Sequence, residues 1–188
     1  MLTLPVFAAT QAVNAAAISP TLKTSVSVQE AIQLTLGTGS GCAVTGAGGG
    51  ADYNVSFGNI DAMGINNGSC GNKFAPTTPG STNAAYYTDY TLTPIYTSQA
   101  TSTGTITAYV SANFTKANLS IVQAASAPGA ISDLAAMSTN VAAQTSVATN
   151  AASGTPITRY VGVSLAPTNN SGLTGNDAAT ITYTLTVP

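Results

Sequence analysis

Charge is nearly absent from this chain. Four basic and six acidic side chains are spread over 188 residues, and there is no histidine and no tryptophan. Without histidine neither a Ser-His-Asp nor a Cys-His relay can be assembled, and the most common zinc ligand is missing. The basic residues Lys23, Lys73, Lys116 and Arg159 are scattered and form no patch able to neutralise phosphates, which argues against a nucleic-acid partner. The six carboxylates, Glu30, Asp52, Asp61, Asp89, Asp133 and Asp177, show no paired spacing of the glycosidase kind. The expectation is a protein that is not an enzyme and holds no cofactor or metal.

Long apolar runs are also missing. None reaches the 18 or so residues that would span a membrane, so no membrane span is expected. Cysteine is limited to Cys42 and Cys70, both set in Gly/Ser-rich punctuation, GSGCAVTG and NNGSCGNK. That setting suits a disulfide between loops or strand ends, made in an oxidising compartment; the alternative is a pair of free thiols. A bridge here would stabilise the fold by roughly 3 to 4 kcal/mol in the chain-entropy picture.

What is present is a 44% hydrophobic composition with a net charge of only −2, rich in Thr, Ser, Ala, Asn and Gly. Such a chain has enough apolar surface to fold, unlike a disordered one. Its surface must be neutral hydroxyl and amide, and with little repulsion between copies self-association is favoured. This is the composition of an extracellular building material. The opening residues MLTLPVFAA look like the end of a secretory signal, with Val6 and Ala8 as small residues before a cleavage point. Residues 1–9 are therefore expected to be either a signal remnant or an ordered tail.

The dominant periodicity is two, the mark of half-buried strands. From Leu22 the even positions read Leu22, Thr24, Val26, Val28, Glu30, Ile32, Leu34 and Leu36, with Glu30 dividing the run into residues 21–29 and 31–36. Further strands are expected at Tyr53, Val55 and Phe57, over residues 86–96 with Pro94 marking an edge or bend, and at Ile106, Ala108, Val110 and Ala112. Leu119 and Ile121 start another, followed by Ile157, Val161, Val163 and Leu165. Last come Ile181, Tyr183, Leu185 and Val187, which should face the core with threonines outward. Residues 131–137 (ISDLAAM) carry the one helical signal, and residues 124–154 are otherwise uncommitted. Seven or so short strands between Gly, Pro and Asn predict an antiparallel, immunoglobulin-like β-sandwich.

Several local patterns are weaker. GAGGGA at residues 46–51 fits a dinucleotide fingerprint formally but neither follows a buried strand nor opens a helix, so a flexible loop is expected. TNNSGLTGND at residues 168–177 is oxygen-rich like a calcium loop but lacks its alternating Asp, and reads as a hairpin turn. Lys23, Lys73 and Lys116 suggest isopeptide crosslinks only formally and read as solvated. Tyr86, Tyr87, Tyr90 and Tyr96 would form a sugar-stacking platform if exposed, but at this spacing they read first as core.

Four segments together, SVSVQEAIQLTL, GTGSGCAVTG, FGNIDAMG and DAATITYTLTVP, resemble the spore coat U domain family, to which the subunits of archaic chaperone–usher pili belong. The chain differs in having extra residues before the first segment, a second Cys soon after FGNIDAMG, and a long Ala/Thr-rich middle. The resemblance implies an immunoglobulin-like domain lacking one strand, completed by the N-terminal segment of a neighbouring subunit. It further implies a periplasmic chaperone, an outer-membrane usher, and a pilus on the cell surface that serves adhesion or biofilm formation.

On this reading residues 1–29 are an extension containing the donor strand and residues 30–188 the pilin domain. The donor row is Leu22, Thr24, Val26 and Val28, with Leu2, Leu4 and Val6 as the rival. Two other functions fit the composition: a carbohydrate-binding β-sandwich of the cell surface, and a viral jelly-roll structural protein.

Overall fold

From Ile32 onward most of the alternating sequence is strand in a computed structural model that describes residues 32–48, 51–78, 81–97, 103–167 and 175–188. In chain order its strands are β1 (Ile32–Thr38), β2 (Thr45–Gly48), β3 (Ala51–Asn54), β4 (Lys73–Phe74), β5 (Ala84–Tyr96) and β6 (Gly104–Ala112). They continue with β7 (Leu119–Ala124), β8 (Ala135–Ala136), β9 (Thr145–Ala151), β10 (Ile157–Leu165) and β11 (Thr180–Thr186). One sheet runs β1-β5-β10-β7-β8 with β4 also beside β5, a second runs β11-β6-β9, and β2 and β3 form a separate hairpin. Every pairing is antiparallel.

The two larger sheets share one core, an all-β arrangement consistent with a sandwich. Tyr86, Tyr90 and Leu92 of β5 and Val161, Val163 and Leu165 of β10 meet Ile106, Ala108 and Val110 of β6 and Val147, Ala148 and Ala151 of β9. Burying each of the larger aliphatic side chains contributes about 1.5 to 3 kcal/mol. Gly162 of β10 is required by close approach, since a Cβ there would lie 2.5 Å from the Tyr86 carbonyl oxygen.

Pro94 lies within β5, opposite Leu34 of β1, and is fully buried. A strand residue points its N and its carbonyl to the same side. The Pro94 carbonyl accepts from Gly154 N–H at 2.7 Å on the side away from β1, beyond the last β5–β10 pair at Leu92 and Ile157. The missing N–H therefore faces a connection and breaks no ladder bond.

Several local expectations need correction. Within the Gly-rich run, Gly46, Gly48 and Ala51 are paired in β2 and β3 rather than lying in an unpaired loop. The strand expected through Val55 and Phe57 ends at Asn54, and Phe57 packs against the core from a loop. The helical signal yields only a 3-10 turn, Ile131–Asp133, followed by β8. β9 emerges from the uncommitted middle, where two register shifts against β6 break the alternation that would have announced it.

Candidate functional site

Cys42 and Cys70 are bonded, with Cα atoms 4.5 Å apart, and no free cysteine occurs among the described residues. A disulfide fits a non-cytoplasmic, oxidising compartment. The bridge ties down the loop that leaves β1. Cys42 N–H donates to the Thr88 hydroxyl at 2.8 Å, and the Asp89 carboxylate accepts from Ser40 N–H (2.7 Å), Gly41 N–H (2.9 Å) and the Ser40 hydroxyl (3.1 Å). Both acceptors belong to β5, so this loop ends β1 beside the middle of β5.

Beyond that anchor one side of the sandwich is incompletely covered by the described residues. Among the described residues β11 pairs only with β6, which leaves its other edge without a strand. Ile181, Tyr183 and Leu185 pack against the core yet are half-buried, whereas Val110, Ala108 and Ile106, their partners on β6, are buried. Tyr183 lies over Tyr90. Leu185 lies over Gly104 close to Tyr96, since a Cβ added at Gly104 would be 2.8 Å from Leu185 Cδ1 and 3.4 Å from Tyr96 Cε1.

β11 thus covers the stretch of β5 to which β1 pairs, and β1 extends the first sheet one strand past the second. Ile32, Leu34 and Leu36 stand opposite Tyr96, Pro94 and Leu92, so they share the inward face. Leu34 and Leu36 are half-buried against the core, and Ile32 remains 58% exposed. Among the described residues, an apolar row and an unpaired strand edge therefore border the same space. A Leu185→Asp substitution is expected to cost roughly 2 to 4 kcal/mol, and Thr184→Asp on the outward face less than about 0.5 kcal/mol, as read by denaturant melts. Equal costs would contradict the inward orientation of Leu185.

Beneath this space Tyr183 and Tyr90 are joined hydroxyl to hydroxyl at 2.9 Å, their ring centroids 6.1 Å apart. Burial pushes Tyr90 up to about 12 and Tyr183 well above the ordinary 10.0. Both hydroxyls keep their hydrogens at any physiological pH.

The few charges act as clamps on backbone. Asp61 accepts from the N–H groups of Met63, Ile65 and Asn66, Asp133 from those of Gly129 and Ala130, and Asp177 from those of Thr115, Lys116 and Ala178. Lys73 donates to the carbonyls of Gly64, Ile65 and Asn66, and Lys116 to that of Asn176, so these two lysines are structural and not simply solvated. Burial alone would raise Asp61, Asp89 and Asp177, but the donors facing them outweigh it. All three lie below the ordinary 3.8, Asp177 at about 2.

A carboxylate held below its unfolded pKa stabilises the fold above that unfolded value and ceases to as pH falls through the folded one. Stability is therefore expected to stay level from neutral pH to about 4 and to decline between about 4 and about 2. Melting curves across that range test this, and a decline already complete by about pH 5 would contradict it.

The predicted donor rows, Leu22, Thr24, Val26 and Val28 or Leu2, Leu4 and Val6, lie outside the described residues. Of the four tyrosines considered as a sugar platform, Tyr86, Tyr90 and Tyr96 are buried and Tyr87 stacks on Phe74 at 5.2 Å. Asp177, the end of the oxygen-rich run, is engaged by backbone, and no cluster of metal-ligating side chains occurs among the described residues. The Tyr90–Tyr183 pair and the inward role of Ile32, Leu34 and Leu36 beside β11 were missed by sequence reasoning, though the phase of the even positions already contained the latter. No described helix is long and apolar enough to cross a membrane. Comparison of the chain with protein-family models, curated proteins and solved structures finds no match in any of the three.

Proposed function

We propose that this chain is a structural subunit of an extracellular fibre, and that an N-terminal segment of one copy adds as a strand to the free edge of β11 in the next. The observation that carries the reading is Ile32. It is in phase with Leu34 and Leu36, yet 58% exposed beside a strand edge that is unpaired among the described residues and a half-buried row of Ile181, Tyr183 and Leu185. An added strand would supply backbone hydrogen bonds along β11 and alternate apolar side chains over both rows.

The completed unit would be an immunoglobulin-like sandwich. The donor would be residues 21–29, whose row of Leu22, Thr24, Val26 and Val28 has the required period. Because the donor leaves one end of a copy and the acceptor lies on its body, contacts are head-to-tail and propagate instead of closing. The sparse charge opposes no such packing. Before assembly an uncovered edge invites wrong pairing, and that supports a need for a chaperone and an usher during export. The resemblance to pilus subunits and the disulfide point to the same route, ending in adhesion or biofilm formation.

Electron microscopy of material from the producing cell surface is expected to show thin fibres made of this chain. A chain recovered only as a stable monomer would overturn the proposal.

A further inference from the structure

The tyrosine pair leaves a hydrogen unaccounted for. Two hydroxyls share one hydrogen bond, and among the described residues neither has an acceptor for the second hydrogen. Tyr90 is 2% exposed, so this donor is withdrawn from water, where an unmet hydrogen bond is costly. The pair lies beneath an otherwise aliphatic row, with Ile181 and Leu185 two residues to either side of Tyr183. The row expected to fill that space is also aliphatic except at one position, Thr24.

We infer that the Tyr90–Tyr183 hydroxyl pair fixes the register of the incoming strand by accepting only Thr24 of the neighbouring copy opposite Tyr183. This inference rests on the strand-donation reading. The Thr24 hydroxyl takes the spare hydrogen, directly or through one water. The match holds in either strand direction. Run antiparallel, the segment places Leu22 opposite Leu185, Val26 opposite Ile181 and Val28 opposite Ala179; run parallel, it places Leu22 opposite Ile181, Val26 opposite Leu185 and Val28 opposite Val187. In both, aliphatic meets aliphatic and hydroxyl meets hydroxyl.

A slip of one residue turns the row outward. A slip of two sets an aliphatic side chain on the hydroxyl pair and Thr24 among aliphatics. The rival row of Leu2, Leu4 and Val6 has no hydroxyl and would leave the pair unmet in every register.

Oxidative crosslinking of the full chain tests this. Val26→Cys is combined in turn with Ala179→Cys, Ile181→Cys, Leu185→Cys and Val187→Cys, and assembled material is run on non-reducing gels. A covalent ladder is expected with position 181 or with position 185, exceeding the yield at 179 and 187 by roughly tenfold. Adding Thr24→Val should bring the yields toward parity. A ladder led by 179 or 187, no ladder at all, or an unchanged preference after Thr24→Val overturns the inference. Deletion of residues 1–29 separates its failure from that of the underlying reading. Loss of fibres leaves strand donation standing with the register wrong, and retention of fibres removes both.

Discussion

Fibres are expected to disappear when Val26→Asp and Val28→Asp are combined. Both positions belong to the inward row of the proposed donor, and a carboxylate carried without a partner into an apolar space costs several kcal/mol. Two such costs exceed what a single added strand gains. Neither position belongs to β1 or β11, so the accepting side of the variant is unchanged. Mixed with the unaltered chain, the variant should still accept a strand while donating none. It should therefore stop growth and shorten the fibres in proportion to its share. Negative-stain microscopy and sedimentation read this directly, and fibres of normal length from the pure variant would contradict it.

A chain supplied with its own strand is expected to be a soluble, more stable monomer. A Gly/Ser linker attached after Pro188, just past the end of β11 at Thr186, can turn back and lay a copy of residues 21–29 along the β11 edge that pairs with no described strand. Tethering raises the effective concentration of that strand to the millimolar range. At about 100 times the dissociation constant the gain is about 2.7 kcal/mol, which for a chain of this size raises Tm by about 5 to 10 °C. Size-exclusion chromatography should show loss of assembly, and thermal melts should show the shift. An unchanged Tm with unchanged assembly would mean that the appended strand finds no edge to occupy.

How much of this was legible in the sequence depended on the range of the interaction. β5, β6, β10 and β11 were readable because alternation is a local consequence of strand geometry, and Ile106, Ala108, Val110 and Val163 lie where the period puts them. β9 was hidden by its register shifts, β8 by its length of two residues, and the β2–β3 hairpin by Gly and Ala, which carry too little side chain to show a period. The candidate site was less legible still. That β11 ends its sheet among the described residues, that β1 overhangs it, and that Tyr90 meets Tyr183 across 93 residues are facts of sheet order, and no local pattern encodes them. The clamping role of Asp61, Asp89 and Asp177 was equally silent, because a carboxylate that binds backbone N–H groups needs no particular side chain as its partner.

The most direct test of strand donation is a side-chain-resolution reconstruction of the assembled fibre. Continuous density is expected for a strand from a neighbouring copy, hydrogen-bonded along the outer edge of β11 and covering Ile32, Leu34 and Leu36. A β11 edge that stays open to solvent within the fibre, or one covered by a segment of the same copy, would contradict it.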